Sequence, residues 1–181
     1  ETPEVKNLYV CGGFNSIGIV SSGGAGKITA EWMINGEIYE DVFSLDISRF
    51  EKFHSELEFI TERVTETLGN LYAMHWPYKQ HTTSRNIKLL PYHNHLKTKG
   101  ACFGQSAAYE RPMWYALNGK DINYKYSYGY QNWYESAKHE TINARRNVAL
   151  FELSPFAKFE LSGEKTHSSL QYICANDIKN E

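Results

Sequence analysis

A glycine-rich stretch near the N-terminus holds the residues whose types and spacing best fit a ligand site. Six glycines fall within residues 12–27, namely Gly12, Gly13, Gly18, Gly23, Gly24 and Gly26. A glycine inside a helix costs roughly 1 kcal/mol relative to alanine. Such a density therefore indicates that the backbone comes close to a ligand or to neighbouring protein.

Two nucleotide-binding motifs match this stretch poorly. A phosphate loop of the form G-x-x-x-x-G-K-[ST] requires a glycine and a hydroxyl residue where the sequence has Ser21 and Ile28. The dinucleotide fingerprint G-x-G-x-x-G can begin at Gly24, with Asp46 as the acid about twenty residues later. That fingerprint belongs at the junction of a strand and a helix, whereas we expect the strand to end at Cys11.

The third interpretation is a helix N-terminus that faces a ligand. We predict a strand over 8–11, a turn over 12–16 and a helix over 18–35 that ends at Asn35-Gly36. A helix N-terminus presents free backbone N–H groups and a partial positive charge. The later glycines would then let the helix pack tightly against a sheet or a flat ligand. The alternative is a glycine-rich helix that packs only against protein.

Other candidate residues are explained better by structural roles than by chemistry. His93 and His95 lack a third ligand at suitable spacing, so we expect no metal site, and we expect the same of His75 and His81. Lys27 is either a surface residue or a partner for a cofactor phosphate.

The aromatic residues between 109 and 134 suit a core or an interface better than a cation–π pocket for an amine. The candidates are Tyr109, Trp114, Tyr115, Trp133 and Tyr134. Arg111 is interpreted as a structural ion-pair partner rather than a binder of substrate carboxylate. Ser154 has no visible His-Asp pattern, so a serine hydrolase is unsupported.

Composition excludes several classes of protein. With 181 residues and a net charge of -2, the chain offers no electrostatic case for nucleic acid or an anionic membrane surface. No apolar run is long enough to span a bilayer. Three separated cysteines suit a reducing compartment. We therefore expect a cytoplasmic protein, with the mitochondrial matrix as the alternative.

We predict the remaining elements from apolar periodicity and from the Gly, Pro and Asn-Gly residues that end helices and strands. Residues 41–47 could be a strand or an extended linker. We predict a helix from a Ser55–Glu58 capping box to Gly69, a loop over 75–88 and a short helix from Pro91 to Gly100. Further along, we predict the following elements: extended structure over 101–116 interrupted at Arg111-Pro112, a turn at Asn118-Gly119, a helix over 134–147, two strands within 148–161 and a final helix starting near 167.

The order of several segments resembles the dimethylglycine and sarcosine dehydrogenase family. The segments that carry this resemblance are YVCGGFNSIGIVSSGGAGKITAEWMINGE, SLDISRF, ERVTETLGNLYAMHWP, LKTKGACFGQSAAYERPMWYA, YGYQNWYESAKHE and RRNVALFELSPFAKFELSG. The resemblance covers nearly the whole chain. It implies an α+β chain made of the end of an FAD-binding α/β region (1–47), a mixed central domain (48–140) and the start of an aminomethyltransferase-like, folate-binding domain (141–181).

The resemblance also implies a function. In this family FAD accepts a hydride equivalent from an N-methyl amine, and the one-carbon unit leaves as formaldehyde or passes to tetrahydrofolate. Negative charge then gathers near N1 and the C2 carbonyl of the flavin, where a helix N-terminus would stabilise it. The residues assigned to this contact are Gly13, Phe14, Asn15, Ser16, Ile17, Gly18 and Ile19.

The resemblance leaves several parts of the family's function unassigned in this chain. It assigns no catalytic side chain and leaves the electron acceptor unidentified. The family's ADP-binding strand and most of its folate site have no counterpart here, so we expect an internal piece of a longer enzyme. The alternative is a non-catalytic scaffold, or an aminomethyltransferase-related binding module without flavin chemistry.

Overall fold

The computed structural model describes residues 1–117 and 121–180, which form two compact units. The first unit contains Glu1–Ile87 and Tyr124–Asn132. The second unit contains Lys88–Asn123 and Trp133–Glu181. The predicted turn at Asn118-Gly119 lies outside the described residues.

Two α-helices form the frame of the first unit, α1 (Gly18–Asn35) and α2 (Leu57–Tyr72). Helix α1 confirms the range predicted from the sequence. It ends because Gly36 adopts the left-handed conformation, with φ of 77°, and donates its N–H to the Trp32 carbonyl at 2.9 Å. Three short 3₁₀ helices connect α1 to α2: Phe43–Leu45, Ile47–Arg49 and Lys52–Ser55.

Three local predictions in the first unit are wrong. Residues 8–11 form no strand, and no described strand lies beside them to pair with. Helix α2 has Glu56 rather than Ser55 as its N-cap, because the Ser55 hydroxyl donates to the Lys52 carbonyl at 2.7 Å and closes the preceding 3₁₀ turn. The helix also continues through Gly69, which does not adopt a positive φ.

A small mixed sheet organises the second unit. Its strands are β1 (Lys88–Leu89), β2 (Ala101–Ser106) and β3 (Tyr109–Tyr115), in the order β1-β3-β2. Strand β3 runs parallel to β1 and antiparallel to β2. Ala107 and Ala108, with φ of 48° and 63°, make the tight turn of the β2–β3 hairpin.

Pro112 does not interrupt β3, contrary to the sequence prediction. Proline has no backbone N–H to donate to the neighbouring strand, and the strand tolerates it beside a β-bulge. At this bulge Cys102 pairs with Trp114, and the next residue, Phe103, pairs with Pro112. Helices α3 (His93–Thr98), α4 (Tyr134–Arg146) and α5 (Thr166–Ile173) follow the predicted ranges closely.

The buried apolar side chains of the described residues all belong to the second unit. They are Leu90, Leu96, Ala101, Cys102 and Trp114. The two strands predicted within 148–161 are absent, and Val148 and Phe159 are each 93% exposed. A strand requires a neighbour to satisfy its backbone, and no described strand pairs with this segment.

Candidate functional site

The loop that precedes α1 has an unusual backbone. Gly13, Asn15 and Ser16 all have positive φ, at 77°, 43° and 72°. Such angles are uncommon for residues other than glycine. The loop closes when the Ile17 N–H donates to the Phe14 carbonyl at 3.0 Å. The chain therefore turns sharply just before the helix begins at Gly18.

The N-terminus of α1 has no side-chain cap. Ile17 is the N-cap residue and has no polar side chain, and the first turn carries no acidic residue. The Ser21 N–H makes the first intrahelical hydrogen bond, to the Ile17 carbonyl at 3.0 Å. The N–H groups that precede it, together with the helix dipole, give this end of the helix a partial positive charge. Ile19 in the same turn is 97% exposed.

The space around the glycines fits close approach at the loop but shows no close packing farther along the helix. A Cβ added at Gly12 or Gly13 would meet no atom within 4 Å, and one at Gly18 would lie 3.7 Å from the Phe14 Cβ. Added Cβ atoms at Gly23, Gly24 and Gly26 would also meet nothing within 4 Å. Among the described residues, therefore, nothing packs tightly against the later glycines.

Two contacts that the sequence did not suggest hold the loop and the helix. The Ser16 and Tyr72 hydroxyl oxygens lie 2.6 Å apart, which ties the loop to the end of α2. Tyr9 packs edge-on against Trp32 of α1, with 5.6 Å between ring centroids. Both pairs join residues more than twenty positions apart, so neither periodicity nor a local motif could reveal them.

A concave surface of about 200 Å³ lies beside Gly12. Trp32, Leu45, Arg49 and Phe50 are among the residues that line it. Asp46 also lines it, but its carboxylate accepts the Ser48 N–H at 2.7 Å and caps a 3₁₀ helix. This bond lowers the pKa of Asp46, and a ribose-binding role for the residue has no further support.

Charged and histidine candidates have structural roles. Lys27 donates to Glu40 at 2.8 Å and lies 3.6 Å from Glu31, so it is a surface residue. His93 is buried and stacks on Phe103, with 4.2 Å between ring centroids. Within residues 1–117 and 121–180, no group of three or more His, Cys, Asp or Glu side chains could hold a metal.

Of the aromatic candidates in the second unit, Trp114 belongs to the buried core, whereas Tyr134 is 43% exposed. Trp114 is buried and stacks on Trp133, with 6.4 Å between ring centroids, as the core interpretation predicts. The Tyr109 ring lies 4.9 Å from the Lys88 ammonium. The Arg111 guanidinium lies 5.1 Å from the centroid of the Phe156 ring, which is a cation–π contact rather than the predicted ion pair.

Two family models match the chain and define its class. Residues 35–89 match the FAD dependent oxidoreductase central domain, and residues 92–181 match the GCVT N-terminal domain. The chain thus joins part of an oxidoreductase to part of a GCVT-type domain. The two matches meet near residue 90, inside the range assigned above to the central domain. The boundaries after residues 47 and 140 stay predictions.

Curated relatives show which proteins the chain is similar to. The chain is 43% identical over 178 residues to 4-methylaminobutanoate oxidase (formaldehyde-forming) of Paenarthrobacter nicotinovorans, covering 98% of this chain and 22% of the relative. It is 31% identical over 183 residues to the mitochondrial pyruvate dehydrogenase phosphatase regulatory subunit of Mus musculus, covering 98% and 21%. It is 28% identical over 174 residues to the mitochondrial dimethylglycine dehydrogenase of Rattus norvegicus, covering 96% and 20%.

The resemblance found in the sequence is therefore confirmed: the chain matches the FAD dependent oxidoreductase central domain and the GCVT N-terminal domain, and it is similar to dimethylglycine and sarcosine dehydrogenases. It spans about a fifth of the length of the curated relatives it matches. The mixed α+β character is also confirmed by the three-stranded sheet and its helices. In the described part of the chain, no helix is both long and apolar enough to cross a membrane.

Proposed function

We propose that these residues belong to an FAD-dependent oxidoreductase that oxidises an N-methyl amine. The observation that carries the proposal is the uncapped N-terminus of α1, reached through a loop with positive φ at Gly13, Asn15 and Ser16. We propose that residues 13–19 contact the flavin and that residues 1–47 end the FAD-binding region. The oxidoreductase family match from residue 35 onward supports this assignment.

The residues present fit a flavin at this position. Open space at Gly12 and Gly13 lets a flat ring approach the backbone, and the first-turn N–H groups of α1 can donate to its polar edge. A bound flavin would supply the hydride acceptor. The chain would orient the ring and stabilise negative charge through backbone N–H groups, without moving a proton. The Ser16–Tyr72 contact would keep the loop in position.

The substrate we propose is a small N-methyl amine of the kind named for the relatives, such as 4-methylaminobutanoate, dimethylglycine or sarcosine. Formaldehyde formation is part of one relative's name. The GCVT match over residues 92–181 supports tetrahydrofolate as an alternative acceptor of the one-carbon unit. An electron acceptor is also required, and no residue identifies it.

We propose a reducing compartment for this protein. Cys11, Cys102 and Cys174 are all free thiols. Two of the relatives described above carry the word mitochondrial in their names, which favours the matrix over the cytoplasm.

A matched pair of glycine substitutions tests the flavin contact. Gly13 and Gly36 share a φ of 77° and open space around the Cβ position, and they flank opposite ends of α1. Valine at either position strains the backbone equally. In the full-length protein we expect Gly13→Val to lose at least about 90% of the bound flavin. The flavin-to-protein ratio, taken from the flavin absorbance at about 450 nm, measures this loss. We expect Gly36→Val to retain the bound flavin.

Each outcome of that comparison is informative. Equal flavin retention by both variants, with normal turnover of an N-methyl amine, would refute the contact at residues 13–19. Equal loss by both would mean that backbone strain in α1, rather than access to the loop, governs retention, and the contact would again be rejected.

One observation favours a second candidate function. The relative that is 31% identical is named as a regulatory subunit, so a protein of this family can have a non-catalytic role. We propose a regulatory binding module as the alternative. A full-length protein that purifies without flavin and oxidises none of the three amines would favour this alternative.

A further inference from the structure

A second concave surface in the first unit has a different chemical character from the loop at α1. It has a volume of about 240 Å³ and lies at the C-terminal end of α2 and in the loop that follows. We call it the Trp76 pocket, and its lining includes Asn70, Met74, His75, Trp76, Lys79 and His81. Its volume is below the usual range for drug-sized ligands, so it suits a molecule of few heavy atoms.

The Trp76 indole provides a flat apolar wall. The Tyr128 ring supports it, with 5.0 Å between ring centroids and 35° between planes. The Tyr128 hydroxyl is fixed in turn, because it donates to the His75 carbonyl at 3.1 Å and lies 3.2 Å from the Met74 sulfur. These contacts position Tyr128 against the indole, which can stack with a flat ligand.

The ionisable groups at the pocket are basic, and the neutral amides of Asn70 and Gln80 lie beside them. No Asp or Glu lines it. The Lys79 ammonium donates to the Asn70 side-chain oxygen at 2.6 Å, which positions the head group while its other N–H bonds can reach a ligand. His75 and His81 add two imidazoles. A cation held beside an aromatic wall is complementary to an anion that carries an apolar body.

His81 lines the pocket and also approaches the partly buried Glu66 carboxylate. Its Nδ1 is buried and lies 3.6 Å from the Glu66 carboxylate, too far for a hydrogen bond. Burial lowers the pKa of His81, and Arg63 and Lys79 lower it further, while Glu66 opposes them. A second anion at Nε2 would place the ring between two negative groups and favour its protonated form.

We propose that the Trp76 pocket binds a small monocarboxylate with a flat apolar body. The carboxylate meets the Lys79 ammonium and the His81 ring, and the body stacks on Trp76. This inference is independent of flavin chemistry, because it uses no residue of the loop at α1.

Calorimetric titration of the full-length protein with sodium benzoate tests the proposal. Benzyl alcohol has the same ring without the charge, and inorganic phosphate has the charge without the ring. We expect saturable benzoate binding that is at least fivefold tighter than binding of either comparator. Equal binding of phosphate or of benzyl alcohol would overturn the proposal, as would the absence of benzoate binding.

A lysine pair locates the binding. Lys79→Met removes the ammonium at the pocket, and Lys52→Met removes an exposed ammonium elsewhere in the same unit. We expect the first substitution to weaken benzoate binding at least tenfold and the second to change it less than twofold. Unchanged affinity in Lys79→Met would show that benzoate binds elsewhere, including at the substrate site of the enzyme, and would refute the proposal.

The pH dependence supplies a signature that non-specific adsorption would not give. Benzoate stays ionised between pH 6 and 8, because carboxyl groups titrate near pH 4. Uptake of one proton by His81 on binding should strengthen the affinity as pH falls, by at most about tenfold per pH unit. We expect His81→Gln to remove this dependence. A dependence that persists in the variant would exclude His81 from the site.

Discussion

Glu66 fixes the loop that follows α2 through one carboxylate. One of its oxygens accepts the N–H and hydroxyl of Thr82, at 2.7 and 3.0 Å. The other accepts the N–H and hydroxyl of Thr83, at 2.9 and 2.5 Å. Burial alone would raise the pKa of Glu66, but these four hydrogen bonds outweigh it and lower the pKa from 4.5 to about 2. The carboxylate therefore stabilises the folded state in its ionised form.

The depressed pKa of Glu66 predicts how stability varies with pH. Because the unfolded chain takes up the proton more readily, this stabilisation is complete above pH 4.5 and disappears as pH falls toward 2. At pH 7 we expect Glu66→Gln to lower the free energy of unfolding by roughly 2–3 kcal/mol. The reason is that the glutamine NH₂ group replaces one acceptor oxygen and would face the donors of Thr82 or Thr83. Denaturant unfolding at pH 7 and pH 3 measures the difference, which should shrink at pH 3.

Glu58→Gln is the matched control, because Glu58 lies exposed in the first turn of the same helix. We expect a change below about 0.5 kcal/mol for this variant. Equal destabilisation by both variants would assign the effect to helix charge rather than to the contacts of Glu66.

Helix α1 and the segment 148–161 show what the sequence could and could not predict about elements. The range of α1 follows from local signals, because Asn35-Gly36 supplies the left-handed C-terminal residue that ends a helix. The apolar–polar alternation of Phe151, Glu152 and Leu153 predicts a strand, yet a strand forms only where a neighbour accepts its hydrogen bonds. Nothing in the local pattern says whether such a neighbour exists.

In the candidate site, too, local features could be predicted from the sequence and contacts between distant residues could not. The local sequence predicted that a helix begins at Gly18. The first N–H groups of that helix, those of residues 18–20, therefore lack carbonyl partners within the helix. The Ser16–Tyr72 contact joins residues 56 positions apart and depends on how α2 packs, which a single sequence does not encode locally. The Trp76 pocket was missed for the same reason, because its wall is completed by Tyr128.

The open space along α1 predicts the sign of two glycine substitutions. In the chain 1–181 we expect Gly24→Ala to raise the free energy of unfolding by up to about 1 kcal/mol, because the added methyl meets no atom within 4 Å and alanine favours the helix. Gly36→Ala should lower it by about 1 kcal/mol, since its φ is 77°. Urea unfolding followed by circular dichroism measures both. Destabilisation by Gly24→Ala would reveal a close neighbour of the helix.

At the scale of the whole molecule, burial is distributed unevenly between the two units. The buried apolar residues of the described chain lie within 90–114, around the β2–β3 hairpin and α3. The GCVT family match begins at residue 92 and so contains most of this core. In α1, by contrast, no residue is buried.

The reactivity of the three free thiols can measure this uneven burial over the whole chain. Cys11 and Cys174 are exposed, whereas Cys102 is 5% exposed and lies opposite Trp114 in the hairpin. With a thiol reagent under native conditions, we expect two sites to react fast and Cys102 to react at least about a hundredfold slower, because it must wait for the core to open. Cys102→Ser should remove the slow phase and leave the fast one unchanged. Three thiols reacting at one rate would mean that the core around Trp114 does not form in the chain 1–181.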